Sequence, residues 1–310
     1  MSGLAFTFPG QGSQAVGMGQ ALAASFSEAR EVFERVDEAL GQKLSRLMAE
    51  GPMDELTLTE NAQPALMAVS AAILAVLAGQ GGFDLAARLG FVAGHSLGEY
   101  SALVASGALS LEDAARLLRL RGQAMQRAVA PGEGAMAALL GIQLETVEAE
   151  VLGAGVSIAN DNAPGQVVIS GAAAAVAAAA GQARAAGAKK AVMLQVSAPF
   201  HCALMAPAAE EMRTALAEVS LAPLAVPLVA NVTAQAVREP ARIRELLVEQ
   251  VTGRVRWRES VAYMEREGVR RLGEIGTGKV LTTMAKRIVS DVALFNIDGP
   301  ADIETFLKTV

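Results

Sequence analysis

The chain reads as an α/β protein: a large domain built on a mostly parallel sheet, with a small βαββαβ unit inserted into it. Three observations predict this. Short apolar runs of strand character alternate with helical periodicity along most of the 310 residues, and that alternation implies a parallel sheet covered on both faces. One such run passes directly into a serine bracketed by glycines and then into a helix. Between about Gly134 and Val196 the rhythm changes to strand, helix, two strands, helix, strand.

Taken in order, Gly3 to Phe8 is a short strand feeding a glycine-rich loop, and several helical stretches follow between about Met18 and Leu77. The longest apolar stretch, Ala65 to Ala78, is shorter than the ~20 residues a bilayer span needs, so it reads as a buried core helix rather than a membrane segment. Leu89 to Ala93 is the second strand, and Glu99 to Ser106 and Leu111 to Ala128 carry helical periodicity. The changed segment divides into a strand (135–140), a helix (144–152), strands at 156–159 and 166–170, an Ala-rich helix (172–186) and a strand (191–196). This βαββαβ order is that of a ferredoxin-like unit. The domain boundaries are therefore drawn at 1–130 and 198–310 for the large domain and 131–197 for the small one. Past His201 the alternation resumes, with strands at 228–230, 269–272 and 292–295 among helices at about 242–251, 256–267 and 280–288.

Composition sets outer limits. A hydrophobic content of 52% supplies a sizeable core, and the formal net charge of -6 argues against a dedicated nucleic-acid binder, which needs dense Lys and Arg. The lone cysteine, Cys202, can form no internal disulfide, and no cluster of metal-ligand type occurs. The start at Met1 has no basic segment leading into an apolar one, so no secretion signal is expected and cytoplasmic residence is the default. Monomer is the default assembly.

The chemistry centres on Gly94-His95-Ser96-Leu97-Gly98. Gly-x-Ser-x-Gly at a strand-to-helix turn is a nucleophile elbow, in which small residues let the backbone crowd a strained serine, and it marks the large domain as α/β-hydrolase-like. The alternative is a Gly/Ser turn without chemistry. The amide of Leu97, at the start of the following helix, is placed to stabilise an oxyanion formed by Ser96. The chain holds two histidines. His95 adjoins Ser96, and neighbours at a tight turn point apart, so it is expected to pack beneath the elbow. His201, where the small unit rejoins the large one, remains as the base. It lies well before the C-terminal position of the usual hydrolase histidine, and no third-member carboxylate is evident, so a backbone carbonyl is expected to orient the ring. Arg121 has Leu117, Leu118 and Met125 on its face of the helix; a guanidinium there needs an anion, either a structural carboxylate or one on the substrate. Two lookalikes are set aside. Gly10 to Ala15 fits a relaxed dinucleotide pattern but leads into helix, and Gly273 to Lys279 fits most of a P-loop but has Val280 at the Mg-binding position. Cys202 and Trp257 are expected to be packed core residues.

Phe8 to Gln14, Gly94 to Tyr100, Arg121-Gly122, Asn162 to Gln166, His201-Cys202, Asn231-Val232, Gln250 and Gly276 to Leu281 together resemble the malonyl-CoA:acyl carrier protein transacylases of fatty-acid synthesis over nearly the whole length. The resemblance implies a ping-pong transfer of malonyl from malonyl-CoA to the carrier's phosphopantetheine thiol, with no cofactor. It implies Ser96 as nucleophile, His201 as base, the amides of Gln11 and Leu97 as the oxyanion hole, Arg121 as the clamp on the malonyl carboxylate, and the Gln250 carbonyl as the partner of His201. Asn162 and Phe200 are placed with the substrate-binding residues. Phe200 stands where many relatives carry Ser, and Thr277 where Pro is common. A Phe at that place accompanies malonyl selection in polyketide acyltransferase domains, so Phe200 favours malonyl. Lys189, Lys190, Arg184, Lys279, Lys286 and Arg287 are candidates for docking an acidic carrier. A serine thioesterase or esterase, and a non-catalytic carrier-binding module, are the alternatives.

Overall fold

A computed structural model describes residues 3–309. Met1 and Ser2, where the reading of the N-terminus begins, and Val310, the last residue of the 198–310 segment, lie outside the described residues.

The described residues form two sheets. The first has six strands in the order β10-β9-β1-β2-β7-β8, where β1 is Leu4–Phe8, β2 Phe91–Gly94, β7 Leu228–Ala230, β8 Gln235–Val237, β9 Arg271–Ile275 and β10 Ala293–Ile297. All neighbours in it are parallel except β7 and β8. The second is antiparallel throughout, in the order β4-β5-β3-β6, with β3 Gly134–Leu140, β4 Val156–Ala163, β5 Gln166–Ala172 and β6 Lys190–Met193. Its chain order is strand, helix, strand, strand, helix, strand, as the changed rhythm predicted.

Each sheet has its own apolar packing. Strand β1, LAFTF, is buried along its whole length, which fits a central parallel strand covered by helices on both faces. One of those covers is the helix Thr59–Gly81. It runs beyond the predicted apolar stretch to 23 residues, long and apolar enough to cross a bilayer, yet 83% of its most apolar window is buried inside the protein. Packing against the helices Leu111–Arg127 and Ser27–Leu40 consumes its hydrophobic surface. A separate cluster around Leu139, Ile169, Val147 and Val176 lies between the second sheet and its helices.

Three local expectations shift. The helix expected over 144–152 is a single α-turn at Leu144–Thr146 followed by a π-helical turn at Val147–Val151. The strand expected over 191–196 spans Lys190–Met193 at the edge of its sheet, and beyond it the Leu194 N–H still bonds the Met136 carbonyl of β3. Strand β8 was not anticipated: QAV is too short for periodicity to separate from a turn.

Candidate active site

The elbow forms where β2 stops. Ser96 has φ +53, the left-handed region an L-residue adopts only under constraint. The bracketing glycines explain how. A Cβ on Gly94 would lie 1.9 Å from the Gly98 carbonyl carbon, and one on Gly98 2.3 Å from the Phe8 carbonyl oxygen. Only glycine lets the turn fold back against β1. Asn231, fully buried after β7, then fastens it: its Oδ1 accepts the Ser96 N–H at 2.8 Å and its Nδ2 donates to the Gly94 carbonyl at 2.7 Å.

The Ser96 hydroxyl lies 2.8 Å from Nε2 of His201. On its other side the ring bonds the Gln250 carbonyl through Nδ1 at 2.8 Å. A carbonyl only accepts, so Nδ1 carries the proton and Nε2 is left as the acceptor facing the hydroxyl. Gln250 is two residues from the end of the helix Pro240–Thr252, where carbonyls lack an intrahelical donor. The helix C-terminus therefore orients the ring where no carboxylate does, and its partial negative charge favours positive charge on the imidazole. Burial, then the charge of Arg121, pushes the His201 pKa down to about 3, so the free ring is neutral. His201 is itself in the left-handed region, at φ +60.

Arg121 is 1% exposed and meets no carboxylate. Its NH1 donates to Gln63 Oε1 at 2.8 Å, and its NH2 to Gln250 Oε1 at 2.8 Å and to Ser96 Oγ at 3.1 Å. Nε has no partner. Of the two anions the sequence left open for it, the structural carboxylate is absent among the described residues.

These groups line a cleft of about 390 Å³ between the two sheets. Gln11, Ser96, Leu97, Arg121, Asn162, Phe200 and His201 all border it, while Gln250 sits just behind. The backbone amides of Gln11 and Leu97 have no acceptor among the described residues. Met136, Val168 and Leu194 of the smaller sheet's side form an apolar wall opposite.

His95 departs from expectation. It does not pack beneath the elbow; its Nε2 reaches the side-chain oxygen of Asn162 on β4 at 2.9 Å, and its ring tilts against Trp257 at 5.6 Å. The turn does point it away from Ser96, but toward the second sheet, where Asn162 offers an acceptor. Asn162 thus borders the cleft with its oxygen already engaged.

The acyl transferase domain model matches residues 5–290. The malonyl CoA-acyl carrier protein transacylase of Bacillus subtilis (strain 168) is 45% identical over 100% of this chain and 98% of its own. The chain belongs to the malonyl-CoA:acyl carrier protein transacylase family. Among solved members of this family, an acyl-carrier-protein-S-malonyltransferase from Bartonella henselae superposes with a TM-score of 0.95 at 54% identity, covering 100% of this chain and 99% of that one. A malonyl-transacylase in complex with its type II PKS acyl-carrier protein gives 0.94 at 41% identity, covering 99% of each.

Within this transacylase cleft several residues escaped the reading of the sequence. Gln63, Glu99 and the positioning role of Asn231 were not singled out. Gln63 and Glu99 did carry a signal, since each is a large polar side chain in a mostly apolar buried helix, and buried polar groups need partners. Glu99 accepts from the Asn231 N–H at 2.6 Å and from Gln250 Nε2 at 2.5 Å, and burial pushes its carboxyl up to about 8. The P-loop lookalike is filled from within: Glu274 accepts the amides of Leu281 and Thr282, and Asp298 that of Gly278. A phosphate would meet carboxylates there.

Proposed function

We propose that this acyltransferase moves the malonyl group of malonyl-CoA to the phosphopantetheine thiol of acyl carrier protein through a malonyl ester on Ser96. Ser96 Oγ attacks the thioester carbonyl as His201 Nε2 takes its proton, and the amides of Gln11 and Leu97 receive the oxyanion. The intermediate collapses, and CoA leaves as the thiol with the proton from His201. The carrier's thiol then gives its proton to His201, attacks the ester and restores Ser96.

The single observation that carries this is the Ser96–His201 contact at 2.8 Å beside a buried guanidinium that has no carboxylate of its own. A malonyl carboxylate supplies the missing anion, and Arg121 is its clamp. Phe200 and Asn162, on the cleft wall, shape the acyl and pantetheine path. The carrier-bound relative supports a carrier as acceptor. Lys279, Lys286 and Arg287, at the two ends of the helix Val280–Ala285 that borders the cleft, are the favoured docking cations, although Arg287 already donates to Gln166 and Pro164.

The same reading treats residues 131–197 as a ferredoxin-like insertion in an α/β-hydrolase-like domain of 1–130 and 198–310. The separate sheets and separate cores support it. A cytoplasmic monomer that engages neither membrane nor nucleic acid completes the proposal. Incubation with malonyl-CoA followed by intact mass tests the chemistry: the protein should gain one malonyl group that Ser96→Ala cannot accept, and carrier protein should remove it. No adduct on folded protein would contradict the assignment.

A further inference from the structure

We propose that Gln63 and the side chain of Gln250 form a neutral cradle that makes the site selective for a carboxylated acyl group, because they orient the Arg121 guanidinium without offsetting its charge. This rests on Arg121 as the partner of the acyl carboxylate.

A guanidinium that is 1% exposed is costly without an anion, and structural arginines are ordinarily met by Asp or Glu. Here the two residues that hold it are amides. Each presents an oxygen at 2.8 Å, one to NH1 and one to NH2, so the plane of the guanidinium is set from two sides. Both amides are fixed the right way round by what lies behind them. Gln250 Nε2 donates to the Ser96 carbonyl at 2.8 Å and to Glu99 at 2.5 Å, which leaves only its oxygen for Arg121. Gln63 Nε2 faces the Met125 sulfur at 3.9 Å, a weak acceptor, and again its oxygen is the end turned to the cation.

A glutamate has the same reach as a glutamine and in either place would form an internal ion pair. The carboxyl that does lie nearby, Glu99, sits behind Gln250, and its raised pKa leaves it mostly uncharged near neutral pH. The Arg121 charge is thus oriented yet unspent, with the Nε–H unpartnered. An acyl group bearing a carboxylate gains this charge in full, whereas acetyl gains nothing from it. Discrimination comes from withholding an internal counter-ion as much as from supplying the cation.

The test measures kcat/KM for acylation of Ser96 by malonyl-CoA and by acetyl-CoA, followed by intact mass, in the full chain and in Gln63→Glu, Gln63→Met and Arg121→Ala. Gln63→Glu should lower the malonyl-to-acetyl ratio by at least about tenfold, since its carboxylate competes for Arg121. Gln63→Met, of similar shape but without acceptor or charge, should lower it by less, through a higher KM for malonyl-CoA. An unchanged ratio in folded Gln63→Glu overturns the cradle. If near-ultraviolet circular dichroism finds that variant unfolded, the Gln63→Met ratio decides: a fall supports the cradle and an unchanged value overturns it. Arg121→Ala separates the two claims. A ratio that falls there but stays constant in the Gln63 variants removes the cradle alone, whereas a ratio unmoved in Arg121→Ala removes the clamp itself.

Discussion

Replacing Arg121 by Ala removes a cation that donates to Ser96 and leaves the oxygens of Gln63 and Gln250, both acceptors, without the guanidinium they bind. A malonyl carboxylate would then be buried without the guanidinium to meet it, near two acceptor oxygens left unpaired. Removing one partner of a buried charged pair costs roughly 3–5 kcal/mol, which is about two to four powers of ten in kcat/KM. Acetyl carries no such charge, so acetyl-CoA should suffer little of this loss. Loss of the nearby positive charge also lifts one of the two main causes of the depressed His201 pKa, so the residual malonyl activity should fall off at a higher pH than in the parent. Single-turnover acylation with both thioesters, on protein whose thermal melt remains cooperative, measures the difference. Equal losses on malonyl and acetyl would refute the clamp, because a distortion of Ser96 would harm both alike.

With His201 near 3, the base is already neutral in mildly acidic solution, and kcat/KM for malonyl-CoA at pH 5 should stay close to its value at pH 7; an acid limb near the ordinary histidine value of 6.5 would contradict the burial argument. Two buried groups also shape stability, with opposite signs. The stability linked to neutral His201 is complete above 6.5 and is lost as pH falls toward about 3, while that linked to protonated Glu99 is complete below 4.5 and is lost as pH rises through about 8. Their sum should be flat between 4.5 and 6.5 and decline on either side, and Glu99→Gln should abolish the decline above 6.5 in melts taken across that range. Asn231→Ala should leave the Ser96 N–H and the Gly94 carbonyl unpaired at about 1–3 kcal/mol each, lowering the melting temperature and kcat for malonyl and acetyl together; a shifted malonyl-to-acetyl ratio would argue against a purely positional role. Gly98→Ala drives a Cβ to 2.3 Å from the Phe8 carbonyl, so soluble folded protein should be scarce, and a well-folded active variant would show that the turn has slack.

The elements of this protein and its serine elbow are local matters, which is why the chain alone declares them. Strand β1 is five consecutive apolar-to-neutral residues ending at Pro9, and Gly94-His95-Ser96-Leu97-Gly98 admits few backbone paths. The choice of His201 also followed without coordinates, since a serine needs a base and the chain has two histidines, one of them misdirected by adjacency. What no window of sequence contains is contact between distant residues. Gln63 and Gln250 meet on Arg121 across 58 and 129 positions, and Asn231 reaches Ser96 across 135. The direction of His95 depended on an acceptor, Asn162, carried by the other sheet.

Amino-acid sequence by itself determined the alternating fold, the strained serine, the histidine that meets it and the apolar setting of the arginine, because steric limits and periodicity act over a few residues. Tertiary structure decided that the arginine is held by amides and left without a carboxylate. It also decided that a helix end replaces the acid behind His201, because both depend on which polar atoms the two sheets bring within about 3 Å of one another.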